Sequence, residues 1–288
     1  MQIIYIAGSG RSGSTLLDMI IGTQPGAFSS GELCNLISAY LSSEYCACGS
    51  PLDRCCCWKS IIDAWKIEND LSQSEIEKFA RLDRFYSHPK KVRAWLFGLL
   101  PVIGKQYKWY LELLESLYEK ISSLTGSCVV TDSSKSPVRL LHLNKFVKCN
   151  LTVIHLIKSP YGIIESLSKT WNKDKARGVQ KKIQAKKPFR TAVYWLVINY
   201  MVEFSVWFSR RSCFRMKYED LTSCPEETLK PIFHDFKMYE PLSGGHISAG
   251  NRMRLSREVY VRPVEKKKKS SSFLVNLVLR MAMSRYGY

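Results

Sequence analysis

A chain of 288 residues that is 45% hydrophobic and 24% charged has the material for a sizeable core, and this composition excludes a collagen, a repeat array and a disordered chain. Lysine and arginine total 43 against 25 aspartate and glutamate, a net charge of +18. Residues 173–190 supply +7 of that excess and residues 252–269 another +6, which reads as a solvated face, a nucleic-acid platform or a funnel for polyanionic ligands. No zinc-finger, RNA-recognition or basic-zipper pattern supports the nucleic-acid reading, and no apolar run of about eighteen residues argues for a spanning helix.

In chain order, Ile3 to Ala7 is an apolar strand pattern. It stands where a secretory leader would place a basic segment and a longer apolar one, so no leader and a cytoplasmic location are expected. The ten cysteines are then expected to be mostly reduced. The strand runs into Gly8-Ser9-Gly10-Arg11-Ser12-Gly13-Ser14-Thr15, followed by Leu16, Leu17, Ile20 and Ile21 on one helical face. Strand, glycine loop and helix N-terminus cradle phosphates with backbone N–H groups. The spacing from Gly8 to Gly13 suits a nucleoside-triphosphate loop, but Ser14 stands where such a loop needs lysine. Arg11, with Ser12, Ser14 and Thr15, offers a different grip on an anion.

A short extended stretch then returns the chain to the loop's mouth at Gly31-Glu32. Five cysteines crowd into residues 46–57. The first pair, Cys46 and Cys48, is closer than the two to four intervening residues usual in structural zinc sites, so the run reads as a disulfide or plain packing rather than a metal site. Helical patterns near Ser74 to Tyr86 and Gln106 to Leu124 fall in an expected helical cap or insertion, residues 33–127. Further strands follow at Cys128 to Thr131, Leu151 to Ile157 and Cys213 to Tyr218, and Tyr194 to Phe208, apolar nearly all round, is expected to be a buried helix. The alternation predicts an α/β three-layer fold, one domain over 1–288 with a central parallel sheet, its ligands at the carboxyl ends of the strands. The basic C-terminal segment 266–288 contains Ser272 to Met283, which reads as a contact with an anionic membrane or as a packed terminal helix.

Four motifs in order resemble the sulfotransferase superfamily that uses 3′-phosphoadenosine 5′-phosphosulfate (PAPS) and has a P-loop-kinase-like fold. GSGRSGSTLL is similar to its 5′-phosphosulfate loop. Val153 to Pro160, continuing to Ser166, resembles its 3′-phosphate strand and helix, with Lys158-Ser159-Pro160 where the family usually has Arg-Asp-Pro, so the charge is kept and the guanidinium fork is lost. Lys217-Tyr218-Glu219-Asp220-Leu221 is similar to a third segment. His246 to Arg254 resembles the glycine-containing C-terminal loop of bacterial-type members, which also carry a similar early cysteine pattern. Gly31-Glu32 resembles the Gly-Glu of tyrosyl-protein sulfotransferases, whose glutamate is the base.

The resemblance implies PAPS as donor, 3′-phosphoadenosine 5′-phosphate (PAP) as product, a hydroxyl or amine on a small molecule or carbohydrate as acceptor, and no required metal. Two separate anion sites are expected. Gly10, Arg11, Ser12, Gly13, Ser14 and Thr15 hold the 5′ end, while Lys158 and Ser166, with Tyr218 and Arg252 nearby, hold the 3′-phosphate. Glu32 is the expected base and His246 the reserve. Arg11 and Lys135, in Asp132-Ser133-Ser134-Lys135-Ser136-Pro137, are the expected stabilisers of charge in the transition state. Each has a plainer reading: Glu32 as a cap for a helix beginning near Leu33, Lys135 and Arg252 as surface charges, Ser166 as a polar helix position. Two alternatives of other kinds remain: a small-molecule kinase of P-loop type, with Asp132 as its magnesium carboxylate, and a non-catalytic binder of anionic polymers.

Overall fold

In the computed structural model, the described residues are 1–102, 104–146, 148–170, 184–264 and 272–288. Residues 173–183 of the first basic stretch and 265–269 of the second therefore lie outside the described residues.

Five parallel strands form one sheet in the order β2-β3-β1-β4-β5: β1 (Gln2–Ala7), β2 (Ala27–Ser29), β3 (Val129–Lys135), β4 (Asn150–Ile157) and β5 (Cys213–Lys217). The central β1 is apolar without interruption because both of its faces are covered. Ile3, Tyr5 and Ala7 join the core on one side, and Ile4 and Ile6 join the core on the other. The three residues of β2 have no alternation that marks a strand. Their place is set by α1 (Ser14–Ile21), whose buried Asp18 accepts from Ser29 Oγ at 2.8 Å, from the Gly31 N–H at 3.0 Å and from Thr131 Oγ1 on β3.

Between β2 and β3 lie α2 (Leu36–Leu41), α3 (Cys56–Glu68), α4 (Gln73–Tyr86), α5 (Val92–Leu99) and α6 (Lys105–Thr125). A reciprocal Ser72–Glu75 capping box starts α4, and the left-handed Gly126 ends α6. Buried Trp58, Trp65, Phe79, Tyr110 and Leu114 from this segment pack into the β1 core. α7 (Pro137–Leu143) carries the fully buried Arg139, whose guanidinium bonds Asp132 of β3 at 2.9 Å and Ser87 Oγ at 3.0 Å, and also Asp83 of α4. Tyr110 and Tyr118 of α6 complete the carboxylates' bonding.

After β4 come α8 (Pro160–Leu167) and α9 (Pro188–Ser209); after β5 come α10 (Tyr218–Ser223), α11 (Pro225–Leu229) and α12 (Phe273–Arg285). The helix over Tyr194 to Phe208 is not buried all round. Trp195, Ile198, Asn199 and Val202 face the interior, whereas Val197, Tyr200, Phe204 and Phe208 are exposed and Trp207 is 73% exposed. Its apolar content exceeds what its contact with the molecule covers, because α9 lies on the outside of the fold. α12 packs against it through Val275, Leu279, Ala282 and Tyr286. No described helix is long and apolar enough to cross a membrane.

Candidate active site

The loop after β1 turns sharply before α1. Gly13 stands at φ 97°, and a Cβ there would lie 2.1 Å from the Tyr218 ring, so no other residue fits without moving that ring. Gly10 donates its N–H to the Tyr194 hydroxyl at 2.9 Å, which ties the loop to α9. Of the five described residues with side chains that adopt left-handed backbone, two belong to this site, Arg11 (φ 71°) and Lys135 (φ 68°). Such conformations cost on the order of 1 kcal/mol or more each and gather at functional sites.

These elements enclose a cavity of about 320 Å³ at the carboxyl ends of β1, β3 and β4. Of the sequence candidates, Gly10, Arg11, Gly13, Ser14, Thr15, Glu32, Lys135, Lys158, Ser166 and Tyr218 line it. Glu32 is its one carboxylate among the described residues. Lys135 Nζ lies 2.5 Å from Glu32 Oε1 and donates to the Ser133 carbonyl at 3.0 Å, while Asn35 Nδ2 donates to Glu32 Oε2 at 2.9 Å. The pair is largely enclosed, with 17% and 22% of the two side chains exposed. Burial pushes the Lys135 ammonium down, but the Glu32 charge and hydrogen bond outweigh it and leave its pKa raised. Glu32 precedes a short 3-10 helix at Leu33–Asn35 and makes no capping bond to it. Its side chain is turned to the cavity.

Arg11 Nε donates to Ser166 Oγ at 3.2 Å, a bond that runs between residues expected at the two anion sites. Arg11, Lys158 and Ser166 form the wall shared with a second cleft of about 230 Å³ that reaches Gly162 and Lys169. Lys158 lies 4.0 Å from the centre of the Tyr218 ring, a cation–π contact that holds the lysine at this wall. Burial first, and the nearby positive Arg252 second, lower the Arg11 pKa, the mark of a cation in a site short of negative charge.

Three candidates lie elsewhere. Ser12 is fully buried under the loop, its hydroxyl without a partner among the described residues and its N–H on the Ser9 carbonyl at 3.3 Å, because the tight turn directs it inward. Arg252 is exposed and outside the cavity lining, near enough to act on Arg11 by charge alone. His246 does not face the cavity. Its Nδ1 lies 3.3 Å from Cys55 Sγ and 3.9 Å from Cys46 Sγ, which places the expected reserve base among the cysteines and outside the cavity lining. Of the disulfide or plain packing expected of the cysteine run, no disulfide is present: Cys46, Cys48, Cys55, Cys56 and Cys57 are unbridged, with Cys46 and Cys55 buried.

Sequence reasoning missed Asn35, Tyr194 and Asn251. Asn251 donates its backbone N–H to Thr15 Oγ1 at 3.0 Å and so closes the C-terminal loop onto α1. Only Asn35, three residues after Glu32, carried a local signal. Asp132, the magnesium carboxylate a kinase would need, is fully buried and committed to Arg139, Tyr118, Ser134 and the Leu33 N–H.

A glycine loop without its lysine, two cations and a serine at the wall, and a glutamate held beside a lysine thus meet at one cavity. Residues 3–238 match the sequence model of the sulfotransferase family, and the chain belongs to that family. In fold it is similar to the solved sulfotransferase domain from the curacin biosynthetic pathway, at 15% identity and a TM-score of 0.50, covering 98% of this chain and 97% of that one. No curated protein matches the sequence.

Proposed function

We propose that the protein transfers a sulfuryl group from PAPS to a hydroxyl or amine of a small molecule or carbohydrate. The observation that carries this reading is the Glu32–Lys135 pair in the cavity that Arg11, Lys158 and Ser166 also line. The loop 10–15 would take the 5′-phosphosulfate on its backbone N–H groups and Arg11. Lys158 and Ser166, at the second cleft, would take the 3′-phosphate. The strand order and the strand-loop-helix start of the chain support a phosphate cradle of the P-loop-kinase type.

Glu32 accepts the acceptor's proton as the new oxygen–sulfur or nitrogen–sulfur bond forms and the bridging bond from sulfur to the phosphate oxygen breaks. Negative charge then collects on that oxygen, where Arg11 and the Lys135 ammonium stabilise it. Lys135 also holds the Glu32 carboxylate in position through their hydrogen bond, so one contact serves both ends of the transfer. Positioning and charge stabilisation carry most of the work in loose transfers of this kind.

Against a triphosphate kinase stand Ser14 at the lysine position and the commitment of Asp132 to the buried network. Calorimetric titration with PAP beside ADP and magnesium-ATP tests the reading. Micromolar PAP binding that weakens in Arg11→Ala and Lys158→Ala is the expected result. Preference for ATP, or a folded protein that binds none of the three, overturns it.

A further inference from the structure

The cysteine run and the C-terminal loop meet at one point behind the active-site wall. Cys46, Cys48, Cys55 and His246 bring their ligand atoms within 4.8 Å of one another. Cys48 Sγ lies 3.7 Å from Cys55 Sγ, and His246 Nδ1 lies 3.3 Å from Cys55 Sγ and 3.9 Å from Cys46 Sγ. A disulfide would set its sulfurs about 2.0 Å apart. A tetrahedral zinc ion, with bonds of about 2.3 Å to sulfur and about 2.0–2.1 Å to nitrogen, sets sulfur–sulfur edges near ~3.8 Å and sulfur–nitrogen edges near ~3.6 Å. These three separations lie near the second geometry, and the remaining pairs stay within 4.8 Å. Three thiolates and an imidazole are also the donors that select zinc over hard cations.

The backbone is shaped for such a centre. Residues 46–49 form a tight turn in which the Gly49 N–H (φ 89°) donates to the Cys46 carbonyl at 3.0 Å. Cys55 sits at the start of α3, and Cys46 and Cys55 are fully buried, with Cys48 exposed on the outer side. The fourth ligand arrives on a loop already fastened to this turn, with the Ala47 N–H on the Ile247 carbonyl at 3.0 Å and Trp58 Nε1 on the His246 carbonyl.

We propose that Cys46, Cys48, Cys55 and His246 hold a structural zinc ion in a closed Cys₃His site. Four protein ligands leave no open position, so the ion has no part in chemistry. Uptake of Zn²⁺ displaces three thiol protons to solvent and leaves a centre of net charge −1 with neutral imidazole. The ion links the segment between α2 and α3 to the loop whose next residues, Gly250, Asn251 and Met253, wall the cavity. Arg254 braces the same junction through the carbonyls of Tyr45 at 3.1 Å and Gly250 at 3.2 Å. The site stands independently of the reaction assigned to the cavity.

The test is metal analysis of the full-length protein purified without chelators. About one zinc per chain is expected, lost in Cys48→Ser and kept in Cys224→Ser, whose thiol is exposed and outside the cluster. Because Cys48→Ser could fail to fold, zinc-free wild-type protein is also titrated with Co²⁺. Thiolate-to-cobalt charge transfer with the intense visible bands of a tetrahedral ion is expected, shifted in His246→Cys, which retains four ligands. A folded protein that holds no zinc and gives no tetrahedral cobalt spectrum overturns the proposal. So does a disulfide between Cys48 and Cys55 in peptide mapping of the alkylated protein.

Discussion

Two constellations of charge share strand β3 and differ in what surrounds them. Around Arg139 the acids Asp83 and Asp132 are 4% and 0% exposed, and tyrosine, serine and backbone groups bond them further. Three residues after Asp132, Lys135 pairs with Glu32 at a cavity wall, where Glu32 accepts from Asn35 and Lys135 and still faces open space. The first arrangement is closed, and its charges join α4, α6 and α7 to the sheet. The second is open on one side, which a reacting group requires. Buried ion pairs add little net stability when complete, but removal of one partner leaves an uncompensated charge. Function and stability should therefore separate cleanly between the two.

The largest separation is expected from Glu32→Gln. The side chain keeps its shape and loses its basicity, so the turnover rate with a competent acceptor should fall about 10²- to 10⁴-fold, with a smaller loss of stability than Arg139→Met causes because the amide oxygen still accepts from Lys135. If it unfolds the protein instead, the pair is structural and the comparison fails. Arg139→Met should do the reverse, lowering unfolding free energy by about 3–5 kcal/mol in urea titrations, while any folded fraction keeps its PAP affinity. Arg11→Ala removes a cation that bonds Ser166 at the cavity wall; PAP affinity should fall by about 1.5–3 kcal/mol, read by calorimetry, with little change in stability.

Acidification probes the closed core through neutral groups. Burial holds the His155 imidazole down at about 4 and that of His142 at about 3, against an ordinary value of 6.5. The unfolded chain takes up protons below that ordinary value while the folded chain does not. The stability these residues contribute is therefore complete above pH 6.5 and is lost as pH falls toward 4, at up to about 1.4 kcal/mol per unit for each histidine. Urea midpoints measured across that window should slope accordingly, less steeply in His155→Gln. The smallest effect is expected of Tyr194→Phe, which deprives the Gly10 N–H of its acceptor and should weaken PAP binding by about 1 kcal/mol.

Much of this was readable along the chain. Four of the five strands, the long helices near 74–86 and 106–124, the glycine loop and the serine at the missing lysine position all follow from period, turn chemistry and residue type within a few positions. The three-residue β2 was not, since Asp18 and Thr131 hold it from other elements. The exposed side of α9 was not either, because apolar content shows what a helix offers for burial and says nothing of what covers it.

Residue types and their order along the chain fix which chemistries it possesses and in what succession the loops present them. Tertiary structure decided which residues meet. Glu32 and Lys135 are 103 positions apart, Arg11 and Ser166 are 155 apart, and Cys55 and His246 are 191 apart. Local spacing cannot report such pairs. Glu32 acquired its cation, Arg11 became the common wall of two clefts, and His246 joined the cysteines because a parallel sheet gathers distant loops at one edge and buried side chains there must find partners among one another.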